Sequence, residues 1–158
     1  MNPESLSVGA ALPEWSIAAV SPDAMRVTSA ICRDPNPIHW DRDAAEAAGF
    51  GHRVVNQGPL NLAYVANMLA AWAGPTALRR LTARFVALVQ EGDGVTAGGI
   101  ITAIDPDPDP AIDHDPGIDA GSRLAHCDVW LDRHDGVRAV TGTAVVVIPA
   151  DPLRRSGA

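Results

Sequence analysis

Lysine is absent from this chain of 158 residues, and all 12 basic residues are arginines. No arginine cluster is interleaved with aromatic residues, so the basic face that duplex nucleic acid requires is not predicted. Long apolar runs are also lacking, and none approaches the roughly 20 residues that cross a bilayer. The N-terminus does not show the basic and then apolar pattern of an export signal. We therefore expect a soluble, cytoplasmic protein that engages neither nucleic acid nor membrane.

Cysteine is scarce as well. Cys32 and Cys127 have no paired spacing, and we expect both to be reduced residues of the core. His114 and His134 have no ligand spacing to a second histidine or cysteine, so no metal site is predicted. Glycine-rich phosphate loops and nucleophile elbows are likewise missing.

Acidic residues are unevenly spread along the chain. The net charge is −7, and six aspartates lie between Asp105 and Asp119, so the remainder is near −1 (−7 + 6). Prolines alternate with several of these aspartates, which excludes the segment from a strand ladder. We expect residues 105–121 to form a solvated loop within one domain that spans residues 1–158.

Helix signals precede the strand signals. Ser21 followed by Pro22 predicts a helix that runs to about Cys32, and Asp41 could cap a short helix over 42–48. The strongest helical pattern runs from Pro59 to Trp72, and Gly74-Pro75 ends it. Because this helix is apolar on nearly every side, we expect it to be buried.

The second half of the chain has the composition of β-strands. Runs rich in Val, Ile and Thr follow a short first strand at 15–20 and cover 81–90, 95–104, 124–133 and 137–148. Glu91–Gly94 and His134–Gly136 are interpreted as hairpin turns. An antiparallel meander combined with one apolar helix predicts an α+β class, as a single hotdog fold in which the sheet wraps round the buried helix.

The segment Arg33–Asp41 carries a carboxylate and an imidazole on a stretch that two prolines stiffen. Proline fixes its own φ and keeps the preceding residue out of the helical region, so Asp34 and Asn36 are held extended. Asp34 and His39 could then face one point, which suits proton transfer near neutral pH. The alternative is a proline-rich turn in which Asp34 serves only as a cap.

The same residues resemble a known family pattern. Asp34-x-Asn36-Pro37-Ile38-His39-x-Asp41, Ala48-Gly49-Phe50 and Val55-x-Gln57-Gly58 are similar to the hydratase motif of MaoC-like dehydratases and R-specific enoyl-CoA hydratases. The likeness continues through Arg84-Phe85 with Glu91-Gly92-Asp93, taken as a strand pair with its hairpin. A closing strand with Gly136 and Gly142 completes it, so the resemblance covers roughly residues 5–149.

The resemblance implies addition of water to a trans-2-enoyl thioester, or loss of water from an (R)-3-hydroxyacyl thioester. Asp34 and His39 would be the catalytic pair, and the backbone N–H of Gly58 would be the oxyanion donor at the N-terminus of the buried helix. The carrier would be coenzyme A or the phosphopantetheine arm of an acyl carrier protein. No further cofactor is implied.

Several neighbours of this motif have two interpretations. Gln57 stands where relatives commonly have histidine, and it could only orient substrate or brace the turn. Asn36 and Asn56 are candidates for bracing the site, and Asn61 could line an acyl tunnel or serve core hydrogen bonding. Three arginines follow the helix at the start of a strand, and they could bind the carrier phosphates or form a plain solvated edge: Arg79, Arg80 and Arg84.

Two other functions are alternatives to hydration. A hotdog thioesterase usually carries an acidic residue on the central helix, and residues 56–73 contain none. A non-catalytic subunit that binds acyl thioesters and completes a partner's site is the alternative from another class. Because a single hotdog unit leaves a strand edge open, we expect a homodimer, and a heteromer with a second hotdog subunit remains an alternative.

Overall fold

In the computed structural model, which describes residues 6–105 and 122–149, five strands form one antiparallel sheet. The first half of the chain contains β1 (Trp15–Ile17), α1 (Pro22–Cys32), a 3₁₀ turn (Pro37–His39), α2 (Arg42–Ala47) and α3 (Gly58–Ala73). The second half contains β2 (Leu78–Phe85), β3 (Val95–Asp105), β4 (Arg123–Arg133) and β5 (Arg138–Ile148). Helices therefore precede a mainly β half, as the sequence indicates.

The strand order in the sheet is β1-β3-β4-β5-β2. The expected meander is confirmed for β3, β4 and β5, and the His134–Gly136 turn joins β4 to β5. The expected hairpin at Glu91–Gly94 is wrong, because β2 pairs with β5 and not with β3. This turn belongs to the connection that leads from β2, at one edge of the sheet, to β3, which lies next to the opposite edge strand β1. Side-chain alternation reveals a strand and its buried face, but it does not reveal which strand lies beside it.

Helix α3 is the element around which the sheet wraps. It contacts all five strands, and its buried positions are Asn61, Tyr64, Val65, Met68, Leu69, Trp72 and Ala73. Gly74 ends the helix with a φ of 104°, a value that favours glycine. The α+β class and the hotdog fold are thus confirmed. The expected burial of this helix on nearly every side is not confirmed, because Asn67 and Ala71 are exposed on the face away from the sheet.

Two strand boundaries differ from the sequence-based expectation. β1 ends at Ile17, because Val20 instead exchanges main-chain hydrogen bonds with the 92–93 turn, at 2.9 Å in each direction. β2 begins and ends earlier than expected, and Gln90 forms only an isolated bridge with Val55.

The two cysteines have different surroundings. Cys127 is buried, as expected, whereas Cys32 is exposed at the end of α1. Burial, with a smaller effect of neighbouring Asp128, raises the pKa of Cys127 to about 11. The prediction of a core position is therefore wrong for Cys32.

The acidic segment lies almost wholly outside the described residues, so the expected loop at 106–121 stays a prediction. Its first residue, Asp105, ends β3, and its carboxylate lies 2.8 Å from His126 Nε2.

None of the helices within residues 6–105 and 122–149 combines the length and apolarity that crossing a membrane requires.

Candidate active site

The end of α1 shapes the segment that carries Asp34. Arg33 adopts a left-handed conformation with φ 52°, the single non-glycine positive φ among the described residues. This turn reverses the chain, and the Asp34 N–H then donates to the Ser29 carbonyl at 2.9 Å. Left-handed non-glycine residues cost conformational energy and are often found at functional sites.

Local hydrogen bonds orient the next five residues. Asp34 Oδ1 accepts from the Asn36 N–H at 3.0 Å, and Asn36 Oδ1 accepts from the Ile38 N–H at 3.4 Å. Asn36 thereby caps the 3₁₀ turn that contains His39. Asn36 is exposed and braces this turn, which is the role that its position in the motif indicates.

His39 is buried, with 8% of its surface exposed, and its two ring nitrogens have different partners. Nδ1 lies 2.7 Å from the Val55 carbonyl oxygen, and Nε2 lies 3.4 Å from Asp34 Oδ2. A carbonyl oxygen only accepts, so Nδ1 carries the proton and donates it to Val55. Nε2 therefore faces the Asp34 carboxylate as the nitrogen that can gain or lose a proton.

The residues before Gly58 are tied to this pair. Val55 also donates its N–H to the Ile38 carbonyl at 2.9 Å, so both of its main-chain polar groups hold the 3₁₀ turn. Gly58 follows three residues later and begins α3. Within residues 6–105 and 122–149 its N–H donates no hydrogen bond, as expected for the first turn of a helix.

The space beside Gly58 is occupied by an aromatic ring. A Cβ at this position would lie 3.2 Å from Cζ of Phe85 and 3.3 Å from its Cε2. This close approach explains the glycine in structural terms, because any other residue would press on the ring. Phe85 ends β2 and is 51% exposed.

Gln57 points away from the solvent and is only 2% exposed. Its Nε2 donates to the Met25 carbonyl at 2.8 Å and to Ser29 Oγ at 2.6 Å. Its Oε1 has no hydrogen-bond partner among the described residues. Of the two roles open to Gln57, the contacts are those of a brace between α1 and α3.

Asn56 and Asn61 form a buried polar cluster with Tyr64. Asn56 Nδ2 donates to Asn61 Oδ1 at 2.6 Å, whereas Asn56 Oδ1 has no partner among the described residues. Burial raises the pKa of the Tyr64 hydroxyl, and a hydrogen bond with the Asn56 side chain lowers it in part. Asn61 therefore serves core hydrogen bonding. The pattern of an apolar helix does not mark Tyr64 as a polar group, although its spacing from Asn61 puts both side chains on one helix face.

The three arginines with a possible carrier role lie on or beside the outer edge of the sheet. Arg79 Nη1 donates to the Thr76 carbonyl at 2.8 Å, which anchors it at the start of β2. Arg80 and Arg84 are exposed on the same strand. The structure does not bring these arginines into contact with Asp34 or His39.

An open, shallow surface pocket of about 380 Å³ adjoins Asp34. Its lining includes Arg33, Pro35 and Trp40 of the Arg33–Asp41 segment, and also Ser29 and Ala30, which the sequence pattern did not single out. Helical spacing places Ser29 one turn before Arg33, which is the signal that could have found it. A separate exposed group outside this pocket consists of Asp43, Glu46 and His52. Their carboxylate oxygens and the histidine ring nitrogen, which could bind a metal ion, lie within 4.8 Å of one another.

Comparison with solved structures gives the same fold. An (R)-hydratase from A. caviae involved in PHA biosynthesis is 24% identical, with a TM-score of 0.73 over 92% of this chain and 99% of that one. The ChsH1–ChsH2 complex from Mycobacterium tuberculosis contains a chain that is 25% identical, with a TM-score of 0.70 over 90% and 98%. A MaoC-like dehydratase from Rhodospirillum rubrum is 22% identical, with a TM-score of 0.69 over 95% and 97%.

Sequence comparison supplies the family. None of the curated proteins compared with the chain matches it. The family model described as a MaoC like domain matches residues 14–103, which is more than half of the chain and includes the Asp34–His39 segment and α3. With this match and the hotdog fold, the chain belongs to the MaoC-like dehydratase family.

Proposed function

We propose that this chain is a hydro-lyase that adds water to trans-2-enoyl thioesters and removes it from (R)-3-hydroxyacyl thioesters. The observation that carries the proposal is the arrangement of His39. Its Nδ1–H is held by the Val55 carbonyl, and its Nε2 faces Asp34 Oδ2 at 3.4 Å. This arrangement supports a role for the two side chains as an oriented proton-transfer pair.

In the proposed reaction, a water molecule lies to one side of the 3.4 Å gap and donates one hydrogen bond to Nε2 and the other to Asp34 Oδ2. One water O–H bond breaks, its proton passes to His39 Nε2, and the oxygen forms a bond to the β-carbon of the enoyl group. The π electrons move toward the α-carbon and the thioester oxygen. The Nε2 proton then passes to the α-carbon, and Asp34 stabilises the imidazolium while it exists.

The negative charge that develops on the thioester oxygen needs a hydrogen-bond donor. The Gly58 N–H supports this role, because it begins α3 and has no acceptor within the described part of the chain. Helix N-termini favour negative charge through their free amides and their dipole. Pro59, the next residue, has no N–H of its own and suits the first turn.

The test uses crotonyl-CoA and follows the loss of the conjugated enoyl absorbance. Asp34→Asn and His39→Ala should each lower kcat by about 10²-fold or more, which is the scale of acid–base catalysis. The double variant should lose little beyond the worse single variant, because the two side chains act as a unit.

A matched control removes a different histidine that also faces carboxylates. His52 Nδ1 lies 3.2 Å from Glu46 and 3.7 Å from Asp43, and its side chain is 61% exposed. His52→Ala should keep normal turnover. Near-normal turnover in either Asp34→Asn or His39→Ala would refute the proposed roles and make the pair structural.

The carrier is proposed to be coenzyme A or an acyl carrier protein arm, and Arg80 and Arg84 are candidates for its phosphates. Both guanidinium groups are exposed on β2, which ends beside Gly58. Replacing both by glutamine should raise KM for a coenzyme A thioester and leave kcat nearly unchanged, because phosphate contacts are the same in ground and transition states.

The proposed partner is a second copy of this chain, joined along β2. Within the described residues β2 pairs on one side only, and Phe85, Val86 and Leu88, at or just beyond its end, are exposed by 51%, 51% and 44%. An open edge flanked by apolar side chains favours pairing with another edge. Light scattering should give twice the chain mass, and a monomer would contradict the proposal.

An accessory subunit is the second candidate, and it is favoured by the structural likeness to a chain of a two-component complex, ChsH1–ChsH2. In that case the purified chain would bind a coenzyme A thioester without converting it. Silence of the chain alone with both short and long enoyl thioesters, followed by activity on addition of a second hotdog subunit, would favour this function over the first.

A further inference from the structure

The Gln57 carboxamide connects α1 to the start of α3. Gln57 directly precedes Gly58, and both hydrogens of its Nε2 are used, one by the Met25 carbonyl and one by Ser29 Oγ. A main-chain carbonyl only accepts, so the orientation of this amide is determined by its partners. A carboxamide suits the position because a single nitrogen supplies two donors to two acceptors one helical turn apart.

Ser29 is held between Gln57 and Asp34. Its hydroxyl accepts from Gln57 at 2.6 Å, and its carbonyl accepts from the Asp34 N–H at 2.9 Å. Ser29 is only 6% exposed, so neither contact competes with bulk water. One residue of α1 thus contacts both the carboxylate-bearing turn and the residue that precedes the Gly58 amide.

The opposite end of the 55–58 segment is fixed by different contacts. Val55 bonds Ile38 through its N–H and His39 through its carbonyl. The Asn56 N–H also donates to the Val89 carbonyl at 2.8 Å. None of these bonds reaches α1, so the Gln57 side chain supplies the hydrogen bonds between this segment and the helix that leads into Asp34.

We propose that Gln57 and Ser29 are a positioning pair that sets the Gly58 amide relative to Asp34. The inference rests on the proposed hydration, which requires the Asp34–His39 pair and the Gly58 N–H to act on one substrate. Neither Gln57 nor Ser29 contacts reacting atoms in this scheme. Both act through the residues that they hold.

Loss of this contact should affect the transition state more than substrate binding. Displacement of catalytic groups by about 1 Å can cost on the order of 10²-fold in rate. We expect Ser29→Ala to lower kcat about 10-fold and Gln57→Leu about 10- to 100-fold, with KM changed less than about threefold. Ser29→Thr keeps the hydroxyl, and it should recover most of the kcat that Ser29→Ala loses.

The experiment measures kcat and KM with crotonyl-CoA, together with Tm, for the full chain and each variant. Ile101→Val is the control for lost stability alone, because Ile101 is 1% exposed on β3, where its register partner is Cys127 of β4. Its Tm should fall while its kcat stays at the wild-type value. Ser29→Ala should show a lower kcat at a similar or smaller loss of Tm.

Wild-type kcat in Ser29→Ala and Gln57→Leu, with only Tm reduced, would overturn the positioning role and leave the proposed hydration intact. Should Gln57→Leu fail to fold, Ser29→Ala alone decides, because it removes a single oxygen atom. A wild-type chain that does not hydrate enoyl thioesters would overturn the proposed function and this inference together, so the two failures are distinguishable.

Discussion

Gly58→Ala tests why glycine is required at the start of α3. The backbone accepts alanine there, since Gly58 is not among the glycines with positive φ. The added Cβ would meet the Phe85 ring at 3.2 Å, so the ring must shift by a few tenths of an ångström. Overpacking costs about 1 kcal/mol when a half-exposed ring can yield, and alanine recovers about 0.5–1 kcal/mol of helix stability. We therefore expect Tm to change by less than about 4 °C.

The effect on activity should be larger than the effect on stability. The displaced ring crowds the Gly58 N–H, and we expect kcat/KM with crotonyl-CoA to fall about tenfold, equivalent to about 1.4 kcal/mol of transition-state stabilisation. The double variant Gly58→Ala/Phe85→Ala removes the collision and should regain most of this loss. Phe85→Ala alone measures the independent effect of the ring. If the double variant stays as slow as Gly58→Ala, the methyl group itself blocks the thioester, and the ring is not the reason for the glycine.

Three further predictions concern groups outside the reaction. At pH 8 a thiol reagent should label Cys32 but not Cys127 in the native chain, because a pKa of about 11 keeps the buried Cys127 thiol protonated. After denaturation it should label both cysteines. Equal labelling of the two in the native chain would contradict the burial of Cys127. Ultraviolet titration of Tyr64, the single tyrosine, should give a pKa above 10.0, and the pKa should return toward this value on unfolding. Because the pKa is raised in the folded state, Tyr64 stabilises the fold below pH 10, and this contribution is lost at higher pH. Arg53→Ala removes three hydrogen bonds to the β2–β3 connection and should lower the free energy of unfolding by about 1–2 kcal/mol in a urea titration. An unchanged urea midpoint of unfolding would show that those bonds contribute no net stability.

The sequence predicted those parts of the fold that depend on local pattern. The apolar run that becomes α3 and the capping residues Ser21 and Asp41 are local features, and the structure has each of them. The pairing of β2 with β5 could not be predicted, because it joins residues far apart in sequence. Nothing in the alternation of 78–85 distinguishes β3 from β5 as its neighbour.

The same distinction applies to the candidate site. Asp34, Asn36 and His39 lie within six residues, and their prolines and short polar side chains determine the turn locally. The contact between Gln57 and Ser29 joins residues 28 positions apart. The tertiary fold brings α1 beside the residue that precedes α3. A pattern of residue types can therefore name Gln57 as unusual but cannot identify its partner.

The strand order also has a consequence for how this protein is made. β2 is synthesised about 60 residues before β5, with which it forms its ladder. During translation from the N-terminus, residues 78–85 therefore leave the ribosome before their pairing strand exists. They stay without a paired strand until β5 has been synthesised. Chains that terminate before Arg138 would present both sides of this strand to other molecules, so completion of the final strand protects the nascent protein from aggregation.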